Sequence, residues 1–174
     1  MPSAQPLPRV ARSRGLTLLE LAAVLAIVAI VTTAAVPSLM SWVARQRLKA
    51  AAEQLAAQLT EARFEAVRRG VAIHFSSRGE GGHWCWAIGT VPGLNCSVDQ
   101  PSALRMVRNG DHAGVQLLRA EPLSFEPRDG RLRTPAAGVQ LRSARGEVLA
   151  VRLTPLGRAT ICSPDMPVPG ANPC

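Results

Sequence analysis

Residues 16–36 form an apolar run of twenty-one residues between Gly15 and Pro37, with one ionisable group, Glu20, near its start. As an α-helix rising about 1.5 Å per residue, the run is roughly 31 Å long, enough to cross the hydrocarbon core of a bilayer. A carboxylate inside such a run costs on the order of 3 kcal/mol on insertion scales, so Glu20 reads as a functional group with a cationic partner within the membrane. Three other readings fit part of the pattern. An ordinary secretory signal could be cut near Thr33-Ala34-Ala35, although its apolar region is normally about 7 to 15 residues and lacks Glu. An uncleaved signal anchor and the buried helix of a soluble protein are the others. Flanking charge does not choose among them, because Arg9, Arg12 and Arg14 precede the run while Arg45, Arg47 and Lys49 follow it.

The stretch Arg14-Gly15-Leu16-Thr17-Leu18-Leu19-Glu20 resembles the processing signal of type IV prepilins and pseudopilins. In that family a short basic leader ends in Gly, and a hydrophobic residue, Thr, two apolar residues, Glu and an apolar helix follow. Leu16 stands where the family usually has Phe. The resemblance implies that a prepilin peptidase cuts between Gly15 and Leu16 on the cytoplasmic side and methylates the new amine of Leu16. It also places Pro37 where many pilins carry a helix-kinking proline. The physical logic is independent of the likeness. Gly15 has no Cβ, so an extended chain can lie close to a protease at the membrane surface. The new α-amine of Leu16 is a suitable cation for a buried carboxylate. Glu20 of an arriving chain could pair with the Leu16 amine of its neighbour, each offsetting the other's desolvation and setting subunit register.

Removing residues 1–15 leaves 159, of which 21 are span, so one modest globular domain remains. The formal charge is +8, falling to +5 without Arg9, Arg12 and Arg14, and 19 of the 20 bases are Arg. A basic exported head suits polyanions such as DNA, lipopolysaccharide phosphates or acidic protein partners, and equally a plain solvated basic surface. Cys85, Cys96, Cys162 and Cys174 all follow the span, in an oxidising compartment if it is crossed. Four cysteines allow three connectivities; Cys85 with Cys96 and Cys162 with Cys174 are favoured because each closes a short local loop. A zinc site through His83-Trp84-Cys85 is the metal alternative, but there is no C-x-x-C pair, and the expectation is no metal and no cofactor.

Beyond Pro37, Leu48, Ala52, Leu55, Leu59, Ala62 and Ala66 follow 4-3-4-3 spacing on one helix face, with Arg45, Glu53, Gln54, Glu61, Arg68 and Arg69 elsewhere. Gly70 stops the helix. This predicts one helix over residues 16–69, about 80 Å long and kinked near Pro37. Its second half, residues 37–70, packs on a sheet; a coiled coil is the alternative for so Ala-rich a stripe. Strands are expected at 71–75, 84–91, 104–107, 115–118, 123–126, 139–142, 148–154 and 158–161. Glu80-Gly81-Gly82, Pro92-Gly93, Asn109-Gly110, Asp129-Gly130 and Arg145-Gly146 supply turns, with Asn109-Gly110 and Arg145-Gly146 suited to hairpins. The fold class is therefore α+β: a long N-terminal helix, membrane-spanning in its first half, packed on a C-terminal antiparallel β head over 71–174.

The stretch from Leu59 to Val71, with Leu59, Ala62-Arg63, Glu65-Ala66 and Arg69 in place, resembles the helix signature of the type II secretion pseudopilin H and FimT minor pilin family. Trp86 near Gly89, Phe125-Glu126-Pro127-Arg128-Asp129-Gly130, and Leu153-Thr154-Pro155-Leu156-Gly157-Arg158 followed by Ile161-Cys162 match its later blocks in order. The resemblance implies a structural subunit at the tip of a type II secretion pseudopilus or a type IV pilus, helping to start fibre assembly and protein secretion. The implied location is a single pass of the inner membrane, with the N-terminus cytoplasmic before assembly and the head periplasmic. The implied partners are other minor and major pilins or pseudopilins, the prepilin peptidase and the membrane. The alternative is a FimT-like DNA-binding subunit for uptake. In such members a Gly-Arg-x-Arg motif contacts DNA; here Gly157-Arg158-Ala159-Thr160 keeps the first two positions and has Thr160 in place of the second arginine. Arg152, Arg142, Arg145 or Arg133 would compensate if they shared a face with Arg158. Enzymatic activity has no pattern behind it: His74, His83 and His112 are scattered, and the glycines fall in turns.

Overall fold

The computed structural model describes residues 17–80, 83–134 and 137–174, leaving aside the side chains of Ala34 and Glu80. The chain divides into two compact units, Met1–Leu39 and Met40–Cys174. The helix α1 (Leu18–Arg69) supplies the described part of the first unit and the opening element of the second.

In the first unit, Thr17 caps α1: its Oγ1 accepts the backbone N–H of Glu20 at 3.2 Å, and its carbonyl accepts the N–H of Leu21 at 3.1 Å. Glu20 lies in the first turn, where the unpaired N–H groups favour negative charge. Thr32 and Thr33 turn their hydroxyls back onto helix carbonyls, Thr32 onto Val28 and Ala29 and Thr33 onto Ile30, so this stretch shows few polar atoms. Leu18, Leu19, Leu25, Ile27, Ile30 and Val31 are all exposed, so the helix is apolar around its circumference and not along one stripe.

The second unit is built on the other part of α1. Leu48, Ala52, Leu55, Leu59, Ala62 and Ala66, the residues picked out by the 4-3-4-3 spacing, are all buried, and Ala51 joins them. They pack into one core with one face of each of two sheets, so the stripe meets sheet and not a second helix. Each buried Leu contributes roughly 1.5–3 kcal/mol of hydrophobic stabilisation. The helix ends at Arg69, and Gly70, at φ +66°, turns the chain out of it.

The first sheet has the order β3-β2-β1-β5, from β1 (Ile73–Glu80), β2 (His83–Gly89), β3 (Ala103–Arg108) and β5 (Leu123–Phe125). The second has the order β4-β6-β7-β8-β9, from β4 (Val115–Ala120), β6 (Ala137–Ser143), β7 (Val148–Leu153), β8 (Ala159–Ser163) and β9 (Asn172–Pro173). All pairs are antiparallel except β8 with β9, a two-residue parallel pair that the proline-bearing tail did not announce. β1 runs to Glu80 although 71–75 was expected, because Ser76, Ser77, Arg78 and Gly79 pair across β2 despite weak β-propensity.

The expected hairpin at Asn109-Gly110 fails; the dipeptide lies in a short 3₁₀ helix, Asn109–His112, in which Asp111 Oδ2 accepts the N–H of Arg108 at 2.9 Å. The reason is topological: β3 belongs to the first sheet and β4 to the second, so the chain must cross between them. Arg145-Gly146 does close the β6–β7 hairpin, with Ser143 and Glu147 bonded across it.

Two indoles seam the core. Trp84 and Trp86 stack at 4.9 Å, 8° from parallel. Trp84 Nε1 donates to the carbonyl of Val115 at 2.8 Å, joining the two sheets, and Trp86 Nε1 donates to Gln58 Oε1 at 2.9 Å, joining the first sheet to the helix. The disulfides are Cys85–Cys96 and Cys162–Cys174.

Candidate assembly and anion-binding sites

Glu20 is exposed in the first turn of α1, and among the described residues no cation pairs with it. Gly15 and Leu16, the expected cleavage site and amine, lie outside the described residues. Among the described residues, α1 is the one helix long and apolar enough to cross a membrane. Pro37 lies inside this helix and leaves the Thr33 carbonyl without its usual donor. A surface with this character suits lipid or the company of other apolar helices.

The arginines named for a polyanion site are not gathered at one place. Arg158 stands on the β7–β8 turn, where Thr154 N–H donates to the Arg158 carbonyl at 3.0 Å and Thr154 Oγ1 accepts the Arg158 N–H at 3.2 Å. Arg145 is in the β6–β7 turn, at the opposite end of β7. Arg133 is held by Glu126. Arg142 and Arg152 do share the outward face of the second sheet: Arg142 pairs with Val148, four residues along β7 from Arg152, about 13 Å by strand rise. Arg142 donates to Gln116 Oε1 at 2.7 Å, and among the described residues neither arginine has an acidic partner.

The structure also brings together three residues that the sequence leaves in separate blocks. The stem of Arg63 runs between Gly130 and Gly157, at φ +69° and +75°. A Cβ on Gly130 would lie 2.8 Å from Arg63 Cγ; one on Gly157 would lie 2.6 Å from the Gly130 carbonyl oxygen and 3.0 Å from Arg63 Cδ. Both glycines are therefore demanded twice, by conformation and by contact. In the sequence both glycines stand as turn residues, and the clasp is signalled only by the helix, Phe125–Gly130 and Gly157-Arg158 blocks of the likeness each carrying one member. Gly157-Arg158 is thus a turn fastened to the helix, with the Arg158 side chain free to reach solvent.

The end of α1 is charged. Glu65 accepts from Arg68 at 2.8 Å and also pairs with Arg69, and these hydrogen bonds, Arg68 first, lower its pKa from an ordinary 4.5 to about 2. His112 stacks on Trp84 and Trp86 and shares a hydrogen bond with Gln54 Oε1 at 2.6 Å; burial lowers its pKa, against a smaller opposing effect of Asp111. Burial also lowers that of His74, with the nearby Arg133 adding to it. With all four thiols in disulfides, the zinc alternative at His83 and Cys85 has no thiolate to use.

A model of the family described as type II transport protein GspH matches residues 51–157, and one described as the prokaryotic N-terminal methylation motif matches residues 10–36. No curated protein matches the chain. Among solved structures, the type IV minor pilin FimU of Pseudomonas aeruginosa is similar in fold, with a TM-score of 0.51 at 23% identity over 73% of this chain and 96% of that one. A second crystal form of FimU gives 0.49 at 23% identity over 71% and 98%. The sandwich with its leading helix is therefore a pilin-like fold, and since the family match spans more than half of its length, the chain belongs to the GspH family of type II transport proteins.

Proposed function

We propose that this protein is a minor pilin or pseudopilin that is cut between Gly15 and Leu16 by a prepilin peptidase, methylated on Leu16, and assembled at the tip of a type II secretion pseudopilus or a type IV pilus. Before assembly its stem crosses the inner membrane once, with the head in the periplasm. Its partners are other major and minor subunits, its role is to start the fibre, and the reading assigns it no catalysis. One observation carries this: the described apolar side chains of residues 18–39 are exposed in the single chain, whereas the stripe from Leu48 to Ala66 is sealed under a disulfide-bonded head. Such a chain has one surface to fold with and another to assemble with.

Glu20 sets register in this account by pairing with the Leu16 amine of a neighbour. The Thr17 cap offers a simpler role, since Thr-x-x-Glu is also a capping box, in which Gln serves as well as Glu. Glu20→Gln separates the two. If charge pairing matters, Glu20→Gln and Glu20→Ala are both still cut but enter fibres at least tenfold less than wild type, read by immunoblotting of sheared and envelope fractions. Normal incorporation of Glu20→Gln would reduce Glu20 to a cap.

The DNA-uptake alternative has less behind it. Arg158 stands on the fastened turn and Arg152 at an outward position of β7, and Thr160, opposite Arg152, occupies the motif's second arginine position.

A further inference from the structure

The two sheets treat their outward faces differently. On the first, Cys85 and Ala87 are covered by Leu94 and Cys96, from a segment tied down by the Cys85–Cys96 bond. On the second, a groove of about 380 Å³ lies over the start of β6, lined by Arg119, Glu121, Gly138, Gln140, Ala150 and Arg152.

Gly138 lies in this groove, and among the described residues nothing calls for glycine there. Its φ is not positive. A Cβ would meet the Val151 carbonyl oxygen at 3.4 Å and Arg152 Cγ at 3.8 Å, ordinary van der Waals contacts. Glycine in the interior of a strand weakens it, and often marks a place where a ligand or another chain comes close. Here β6 is an inner strand bonded on both sides by β4 and β7, so an occupant must come onto the face of the sheet and not to an edge.

The chemistry of the groove selects the occupant. Its floor, Gly138 and Ala150, is apolar and suits methylene groups. Glu121 already holds Arg119 at 2.7 Å, whereas Arg152 has no acidic partner among the described residues. The groove thus offers one uncommitted guanidinium beside the Gln140 amide, a pair of donors suited to one carboxylate. A nucleic acid would call for a row of uncommitted cations along its phosphates, and the groove does not supply one. We propose that this groove is a docking site for a partner polypeptide, receiving an acidic side chain whose carboxylate pairs with Arg152 while its methylenes lie over Gly138.

The test uses the full chain in detergent micelles and a fluorescein-labelled peptide, Gly-Val-Glu-Val-Gly, followed by anisotropy beside its Gln counterpart and a short oligothymidylate. The Glu peptide should bind at least fivefold more tightly than the Gln peptide. Arg152→Gln, which removes the charge, and Gly138→Leu, which fills the groove, should each weaken it at least fivefold, while Arg128→Gln leaves it unchanged. Arg152 is a surface side chain, so its variant keeps the test open if Gly138→Leu folds poorly. Equal binding of the two peptides, no effect of either groove substitution, or an oligothymidylate that binds more tightly than the peptide and is lost with the same two substitutions would overturn the proposal.

Discussion

Glu65 shows how a single residue of the family signature carries a structural load. Its carboxylate receives Arg68 and Arg69 together at the end of α1, where cations also suit the helix C-terminus. Because its folded pKa is about 2 and its ordinary value 4.5, the stabilisation is present above pH 4.5 and is lost as pH falls toward 2. Glu65→Gln should therefore flatten the acid side of a plot of melting temperature against pH, measured on the full chain in micelles, and leave an unchanged slope above pH 6. An unaltered acid limb would contradict the assignment. Helical spacing alone puts Arg68 and Arg69 three and four residues from Glu65, so this cluster was legible in the sequence. Gln58 was not. It is polar and adjacent to Leu59, so a hydrophobic pattern passes over it, yet it is buried because the Trp86 indole needs an acceptor inside the core.

Elements were legible where local pattern and tertiary demand agree. The buried stripe of α1 and the β6–β7 hairpin at Arg145-Gly146 follow from spacing and turn chemistry. The Asn109-Gly110 segment was misread because the same dipeptide serves a sheet-to-sheet crossing, and strand order is not written in any one turn. β9 is invisible to pattern because two residues carry no period; its place is fixed by the Cys162–Cys174 bond, which closes a separation of 12 residues. Cys174→Ser, with Cys162→Ser to avoid a stray thiol, should cost about 2–4 kcal/mol in denaturant unfolding. It should also open the segment after Ser163 to protease while the rest of the head stays resistant. A tail as resistant as wild type would show that its packing at Val168, and not the bond, holds it.

At the scale of the whole molecule, the sequence alone separates an apolar stem from a basic, disulfide-bonded head. What it leaves out are meetings at long range: the Arg63 clasp between Gly130 and Gly157, and the open face at Gly138, each assembled from segments far apart in the chain. The central claim is that the stem is made by cutting and then used for assembly. The most direct measurement is mass spectrometry of sheared fibres and of the envelope from the native host, seeking the N-terminal peptide together with head peptides. The expected result is an N-terminus at methylated Leu16, in fibres if the chain serves a pilus and in the envelope alone if it serves a short pseudopilus. An N-terminus at Met1, or one near Ala35, with none at Leu16 would contradict it.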